Sequence, residues 1–422
     1  MEELREFYAS RCSICGGNRV GDKHLQPLAA GDGFSSIIES IARQLYDQKL
    51  NTGSIPQALY EQTASQLMDA VFSGLGGKTF GYDDPNNKLI TYLRQNLHSF
   101  SAAKSLTEMQ AFNDLLTGPD GKMRTKAQFI AEVAKTGAEF NKTYLATEYD
   151  NALTSAQMAQ KWDEFEDDDI LQFSTVHDDK VRETHALLDG KTAPKTDPLW
   201  RRIWPPLDWK CRCTIIPGVK DKVRKHNVAE LIKRAEIPKL FQNNSGITKT
   251  IVKDDHPYYH DSFHNEKELG AEANYGMPSV KKIYTDGGLP DAAKLKTKAD
   301  ANNWWKEKAG GNAKGHFDVV DKMGNTVRFD NEARNHILED NTDGRHTILS
   351  NSEHIVTEPD EVWSIREGDK LTTTYIKYYD DMPYAVQVDG TRAYTMLKYE
   401  KNGKLNEASV NRDRRGVLLY RR

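Results

Sequence analysis

No stretch of this 422-residue chain holds the unbroken apolar run of about 20 residues that a bilayer-spanning helix requires, so no membrane-spanning segment is expected. The opening residues, MEELREFYASRCSICGG, contain no apolar signal core, and Sec export is not expected. Cysteine is scarce. Four residues, Cys12, Cys15, Cys211 and Cys213, are too few for a disulfide scaffold at this length. Excess positive charge is absent as well: the formal charge is −4, so any binding of nucleic acid has to come from a local patch. Internal repeats and low-complexity tracts are missing. What the chain does have is 38% hydrophobic and 28% charged residues, and length enough for two or three domains with cores of their own.

The texture changes along the chain. From about Gly33 to Phe165 apolar residues recur at helical spacing, as in Ile37, Ile38, Ile41 and Leu45. SIPQALYEQTASQLMDAVFSGLGG opens on Ser54 with a proline near the first turn and closes on glycines, the expected start and stop marks of a helix. KAQFIAEVAKTGAEFNKTYLATEYDNALTSAQMAQKW reads as one very long helix. After EFEDDDI the pattern shifts to a strand, Ile170 to Val176, and a short helix closed by Gly190. The residues from about Val219 to Asp300 are polar and turn-rich and read as a connector. From about Ala301 a helix is followed by a hairpin around Gly324 and Asn325, by a further helix, NEARNHILED, and by alternating strands that end in GVLLYRR. The expected architecture is therefore multidomain. An N-terminal arm (1–32) precedes a mainly α-helical region that ends in a small α+β part (33–218). A linker (219–300) leads to a C-terminal α+β domain with an antiparallel sheet (301–422).

The segment PPLDWKCRCTIIPG is stiff, and its prolines force the residues before them into extended conformations. Cys211 and Cys213, at i and i+2, face the same way on an extended chain. With Cys12 and Cys15 of CSICGG they make a four-thiolate set suited to tetrahedral, structural zinc, for which His185 competes as fourth ligand. The alternative is that Cys211 and Cys213 are small buried residues and the N-terminal pair is incidental.

Three pieces in order, YLATEYDNALTSAQMAQKW, FSTVHDDKVRETHALLDGK and PLWRRIWPPLDWKCRCTIIPG, resemble the head-morphogenesis domain of the phage Mu F-like minor head proteins. The resemblance implies a minor capsid protein of a tailed phage or prophage. It would sit with portal, capsid and scaffold proteins and with phage DNA nearby, in the virion head or, during assembly, in the host cytoplasm. Arg182, His185, Trp209 and Arg212 are positions of the family motif, for which a hydrogen-bonded structural role is expected.

The C-terminal part resembles a second family. NHILED, EPDEVWSI, TTYIKYYD, AYTMLKYE and RRGVLLYRR follow the order found in the phage-associated branch of the barnase–EndoU–colicin–RelE nuclease group. This resemblance implies a metal-independent RNase-like effector domain that needs no cofactor for catalysis, with host RNA as substrate after ejection. Cleaving RNA without metal needs a base for the 2′-OH proton, an acid for the leaving oxygen, and cations on the phosphorane. Histidine suits the first two roles and arginine the third. The candidates are His336 first, then Arg345, His346, Lys377 and Thr395, with Arg414 and Arg415 from NRDRRGVLLYRR, where five arginines face one aspartate. Tyr375, Tyr378, Tyr394 and Tyr399 are candidates for stacking on bases. Two rival readings remain: a purely structural head protein whose terminal domain only binds, and a secreted bacterial toxin. Convergence of His336, an arginine and Thr395 on one cleft would favour the enzyme, and scattered positions the structural rival.

Overall fold

The computed structural model describes residues 1–9, 31–259, 263, 265–286, 288–338 and 344–422. The chain divides into two compact units, Met1–Gly76 with Phe100–His264, and Gly77–Ser99 with Asn265–Arg422.

The first unit is helical and then mixed. Its helices are α1 (Glu2–Ala9), α2 (Gly31–Tyr46), α3 (Gln57–Leu75), the part of α4 (Pro85–Asp114) from Phe100 onward, α5 (Lys126–Ala138) and α6 (Leu145–Glu164). α3 stops at Gly76, whose φ of 71° is the left-handed cap that a side chain would strain. α5 begins with a capping box in which Thr125 and Gln128 satisfy each other's backbone amides. One π-helical segment, Glu139–Tyr144, joins α5 to α6, so the long helix expected over these residues is continuous but carries a bulge. The bulge turns Phe140, Asn141 and Tyr144 inward. Beside it lies a buried polar centre. Lys104 Nζ meets Glu148 Oε2 at 2.5 Å and the Phe140 carbonyl at 3.0 Å, while the Tyr8 and Tyr258 hydroxyls donate to Glu148 Oε1 at 2.7 and 3.2 Å.

The mixed part of this unit is a small antiparallel sheet in the order β2–β1–β3, made of β1 (Ile170–Ser174), β2 (Thr192–Pro194) and β3 (Thr214–Pro217). α7 (Glu183–Ala186) lies between β1 and β2, and α8 (Val228–Arg234) and α9 (Ser245–Thr248) follow β3. Its core gathers Leu171, Phe173, Trp200, Trp204, Trp209 and Ile215. Burying one tryptophan there contributes about 4–6 kcal/mol. The stretch read as a connector is divided between the units. Ile232, Ile237 and Phe241 pack into this core, and Leu269, Tyr275 and Val280 are buried in the second unit.

The second unit is built on a seven-stranded sheet in the order β12–β6–β7–β8–β9–β5–β4. Before it come α10 (Ala271–Tyr275), α11 (Val280–Thr285) and α12 (Lys298–Lys308). β4 (Phe317–Val320) and β5 (Thr326–Phe329) form the hairpin expected around Gly324, closed by a bond from the Asp321 amide to the Asn325 carbonyl. α13 (Asn331–Leu338), a 3-10 helix (Arg345–Asn351) and α14 (Ser352–Thr357) precede β6 (Glu361–Glu367), β7 (Lys370–Tyr378), β8 (Pro383–Asp389) and β9 (Arg392–Lys398). A ribbon of β10 (Glu400–Lys401) and β11 (Lys404–Leu405), then α15 (Glu407–Asp413), lead to β12 (Val417–Arg421). All pairings are antiparallel except β5 with β9, so the sheet is mixed rather than wholly antiparallel. Ile337, Leu338, Ile348, Leu349, Ile355 and Val356 from the helices pack with Val362, Val386 and Met396 from the sheet. Gly416 opens β12 with φ 92°, and a Cβ there would lie 2.5 Å from the Ser364 carbonyl oxygen, so no other residue fits without moving β6.

Candidate functional site

α13 is held over β9 by charge. The Asp330 carboxylate accepts from the Glu332 and Ala333 amides at 3.0 and 3.1 Å and so caps the helix. The same carboxylate pairs with Arg392 at the start of β9 at 2.5 Å, and Arg392 also pairs with Glu332. On the helix, Ala333 and Ile337, four apart, point into the core with Leu338. His336 is left half-buried at the side, over the part of β9 that follows Arg392.

A β-bulge occurs there. Gln387 pairs with Thr395 but Val388 pairs with Ala393, so Tyr394 is the extra residue. Bulges of this kind re-aim the neighbouring side chains. Tyr394, 51% exposed, sets its ring edge-on to His336 with centroids 4.7 Å apart. Thr395, buried, receives a hydrogen bond at 2.9 Å from the Arg345 guanidinium, which also lies 3.3 Å from Nδ1 of His336. A guanidinium only donates, so Nδ1 is the acceptor in that contact and Nε2 carries the ring proton of the neutral imidazole. His336, Arg345 and Thr395 therefore converge, although 59 positions separate the first from the last. Gln387, directly across from Thr395 and bonded to Thr374 at 3.4 Å, extends the polar row. Sequence reasoning passed over Gln387; its signal is one polar residue inside the apolar run YAVQV.

The other candidates lie elsewhere. Arg414 is fully buried, with Nε and Nη2 each 2.8 Å from the Glu361 carboxylate. Glu361 is on β6, three strands from β9, which at about 4.8 Å per strand is some 14 Å away. Lys377 is buried and pairs with Asp360 at 3.3 Å. Arg415 is exposed and pairs its backbone with Gly270. His346 follows Arg345 in the 3-10 helix, half-buried. Of the four tyrosines considered for stacking, Tyr375, Tyr378 and Tyr399 are buried, with their hydroxyls donated to Asp321, Glu361 and Asp413. Only Tyr394 of these offers an open ring.

In the first unit His185, Cys211 and Cys213 form a second cluster. All three are buried, and one ligand atom from each lies within 4.8 Å of the others. Sγ of Cys211 is 3.8 Å from Nδ1 of His185. Hydrogen bonding from the Cys213 thiol, aided by His185 and opposed by burial, draws the Cys211 thiol well below its usual range. The same bond and burial push the Cys213 thiol up. Cys12 and Cys15 lie outside the described residues. The motif residues around the cluster have structural partners. Arg182 donates to the Trp209 carbonyl at 2.7 Å, and Arg212 grips Asp178 with two bonds of 2.6 and 2.9 Å. Trp209 packs edge-on against Phe7 and Phe241 and stacks with Tyr8. Among the described residues no helix is long and apolar enough to cross a membrane.

Comparison with known proteins fits these two places. Residues 116–216, which include the thiol cluster, match the family described as Phage Mu protein F like protein. Residues 306–421, which include the histidine–arginine–threonine cluster, match the family described as phage-Barnase-EndoU-ColicinE5/D-RelE like nuclease2. A curated relative, the Mu-like prophage FluMu F protein of Haemophilus influenzae, is 32% identical over 74 residues. That alignment spans 18% of this chain and 18% of the relative. No solved structure matches. Residues 116–216 are thus similar to the Phage Mu protein F like family, and residues 306–421 to the phage-Barnase-EndoU-ColicinE5/D-RelE like nuclease2 family.

Proposed function

We propose that the chain is a minor head protein of a tailed phage or prophage whose C-terminal unit cleaves RNA without metal. The head-protein half of this reading is supported by the match over residues 116–216, and on this reading the protein works with portal, capsid and scaffold proteins in the virion. The nuclease half rests on one observation, the meeting of His336, Arg345 and Thr395 beside the exposed ring of Tyr394.

Each side chain then has a chemical task. Once a substrate phosphate takes over the Arg345 donor, Nδ1 of His336 accepts the proton of the ribose 2′-OH, and Nε2–H of the imidazolium is the proton to give back. The 2′-oxygen bonds to phosphorus and the bond to the 5′-oxygen breaks, with the leaving oxygen protonated by the imidazolium or by water. Arg345, fixed by Thr395, places its positive charge on the phosphorane oxygens as they gain charge. Tyr394 supplies a face on which a base stacks, and stacking of this kind is worth about 1–3 kcal/mol per base. The purified full chain is expected to cut host tRNA or total RNA between pH 5 and 8. His336→Ala should lower the rate about 10²–10⁴-fold and Arg345→Ala about 10²–10³-fold. Undiminished cleavage by both variants, or none by the unaltered chain, would leave the terminal unit a binding module.

A further inference from the structure

We propose that His185, Cys211 and Cys213 bind one zinc-class divalent metal ion, with Nδ1 and two thiolate sulfurs as ligands. The proposal rests on the first unit alone and stands whether or not the second cleaves RNA.

Zinc bonds of about 2.3 Å to sulfur and 2.0–2.1 Å to nitrogen put neighbouring donors of a tetrahedron roughly 3.5–3.8 Å apart. Cys211 and His185 already stand at 3.8 Å, and the whole set lies within 4.8 Å, so shifts of under about 1 Å close it on an ion. The backbone explains why the donors meet. Lys210 adopts a left-handed φ of 56° and the Cys211 amide bonds back to the Asp208 carbonyl at 3.2 Å, which turns the chain. Cys211 and Cys213 then share one side of the extended run into β3. His185 comes from α7, and the bond from Arg182 to the Trp209 carbonyl ties that helix to the same turn without using the cluster. The set is thus held in place by contacts that need no metal, as a preorganised site requires.

The ligand types select the ion. Two sulfurs and an imidazole suit zinc or cobalt and not magnesium or calcium, which take oxygen. A cysteine–histidine nucleophile is the other use of such a pair, but reactive thiols sit where a substrate can reach them. These residues are 3, 5 and 7% exposed. The ion would displace the thiol protons, join α7 to the start of β3 and stabilise the folded form by mass action.

The test uses the full chain, reduced and loaded with zinc or with cobalt as a spectroscopic probe. One ion per chain is expected, with a sulfur-to-cobalt charge-transfer band and an X-ray absorption shell that contains both sulfur and nitrogen. His185→Ala, Cys211→Ser and Cys213→Ser should each weaken binding by more than the ~10–100-fold typical of losing an outer partner of a ligand. Should these variants fold poorly, the absorption shell of the unaltered chain decides by itself. Failure to take up either metal overturns the proposal. So does an all-sulfur shell, or full metal retention by His185→Ala with loss in Cys12→Ser and Cys15→Ser, the signs of a four-thiolate site.

Discussion

Removing Arg414 separates two roles that its charge alone cannot. The guanidinium and the Glu361 carboxylate make two 2.8 Å bonds, with side chains 0% and 4% exposed. Trp363 Nε1 donates to Glu361 at 2.8 Å and the Tyr378 hydroxyl donates at 3.0 Å, while Arg414 also donates to the Pro278 carbonyl at 3.1 Å. Arg414→Met takes away the cation and leaves a buried carboxylate facing only neutral donors, a change that costs about 3–5 kcal/mol. For a unit of this size, at about 2–4 °C per kcal/mol, the midpoint should fall by roughly 6–20 °C. The double variant Arg414→Met with Glu361→Gln should recover most of that loss, because neither charge is then stranded. Thermal unfolding, with hydrogen exchange followed in β6 and β7, measures both. If Arg414→Met unfolds like the unaltered chain yet no longer cleaves RNA, Arg414 contacts phosphate and the buried-pair account is wrong.

Five further outcomes follow from the structure. Tyr394→Ala should weaken RNA binding by about 1–3 kcal/mol with little change in stability, read from titration of a non-cleavable oligonucleotide. Thr395→Val should lower turnover more than affinity, since it removes the fixing of Arg345 and not the charge; equal loss in both would point to a binding role. Burial raises the carboxyl of Glu108 from 4.5 to about 8, so the folded chain holds a proton that the unfolded chain releases. That stabilisation is full below pH 4.5 and is lost as the pH rises through about 8, and Glu108→Gln should flatten the profile of denaturation midpoint against pH. His98 runs the other way. Burial, with Arg94 nearby, lowers it from 6.5 to about 3, so its contribution is present above pH 6.5 and declines as the pH falls towards 3. Gly416→Ala meets both a left-handed φ and a 2.5 Å contact and should destabilise the second unit by at least about 1–3 kcal/mol, visible as a lower urea midpoint.

Local pattern carried the elements that local physics decides. The helical period from Lys126 to Trp162 runs through α5 and α6, and the polar turn at Gly324 marks the hairpin of β4 and β5. The π-helical bulge at Glu139–Tyr144 leaves no such mark, since its inward residues serve a buried centre assembled from distant segments. The parallel contact of β5 with β9 is likewise a long-range choice, made after the hairpin has formed. Charge pattern misled at the tail. NRDRRGVLLYRR reads as one basic patch, but the tight turn at Gly416 sends Arg414 inward to Glu361 while Arg415 stays at the surface. Within the candidate site each residue type was legible and the meeting was not. Nothing local to His336 says that Arg345 returns beside it, or that the ion pair of Asp330 with Arg392 lays α13 over Thr395. His185 stood second to Cys12 and Cys15 as a ligand because sequence spacing favours cysteine pairs, whereas the short helix α7 folds back onto the turn at Lys210.

The central claim is that the His336 imidazole on α13 and the Arg345 guanidinium on the 3-10 helix, meeting at Thr395 of β9, break a phosphodiester through the ribose hydroxyl. The most direct measurement is cleavage of a short RNA by the full chain, without added metal, against the same strand carrying 2′-deoxyribose at every position. The account predicts cyclic 2′,3′-phosphate ends from the RNA and an intact deoxy strand. Cutting of both strands alike, or of neither, would contradict it.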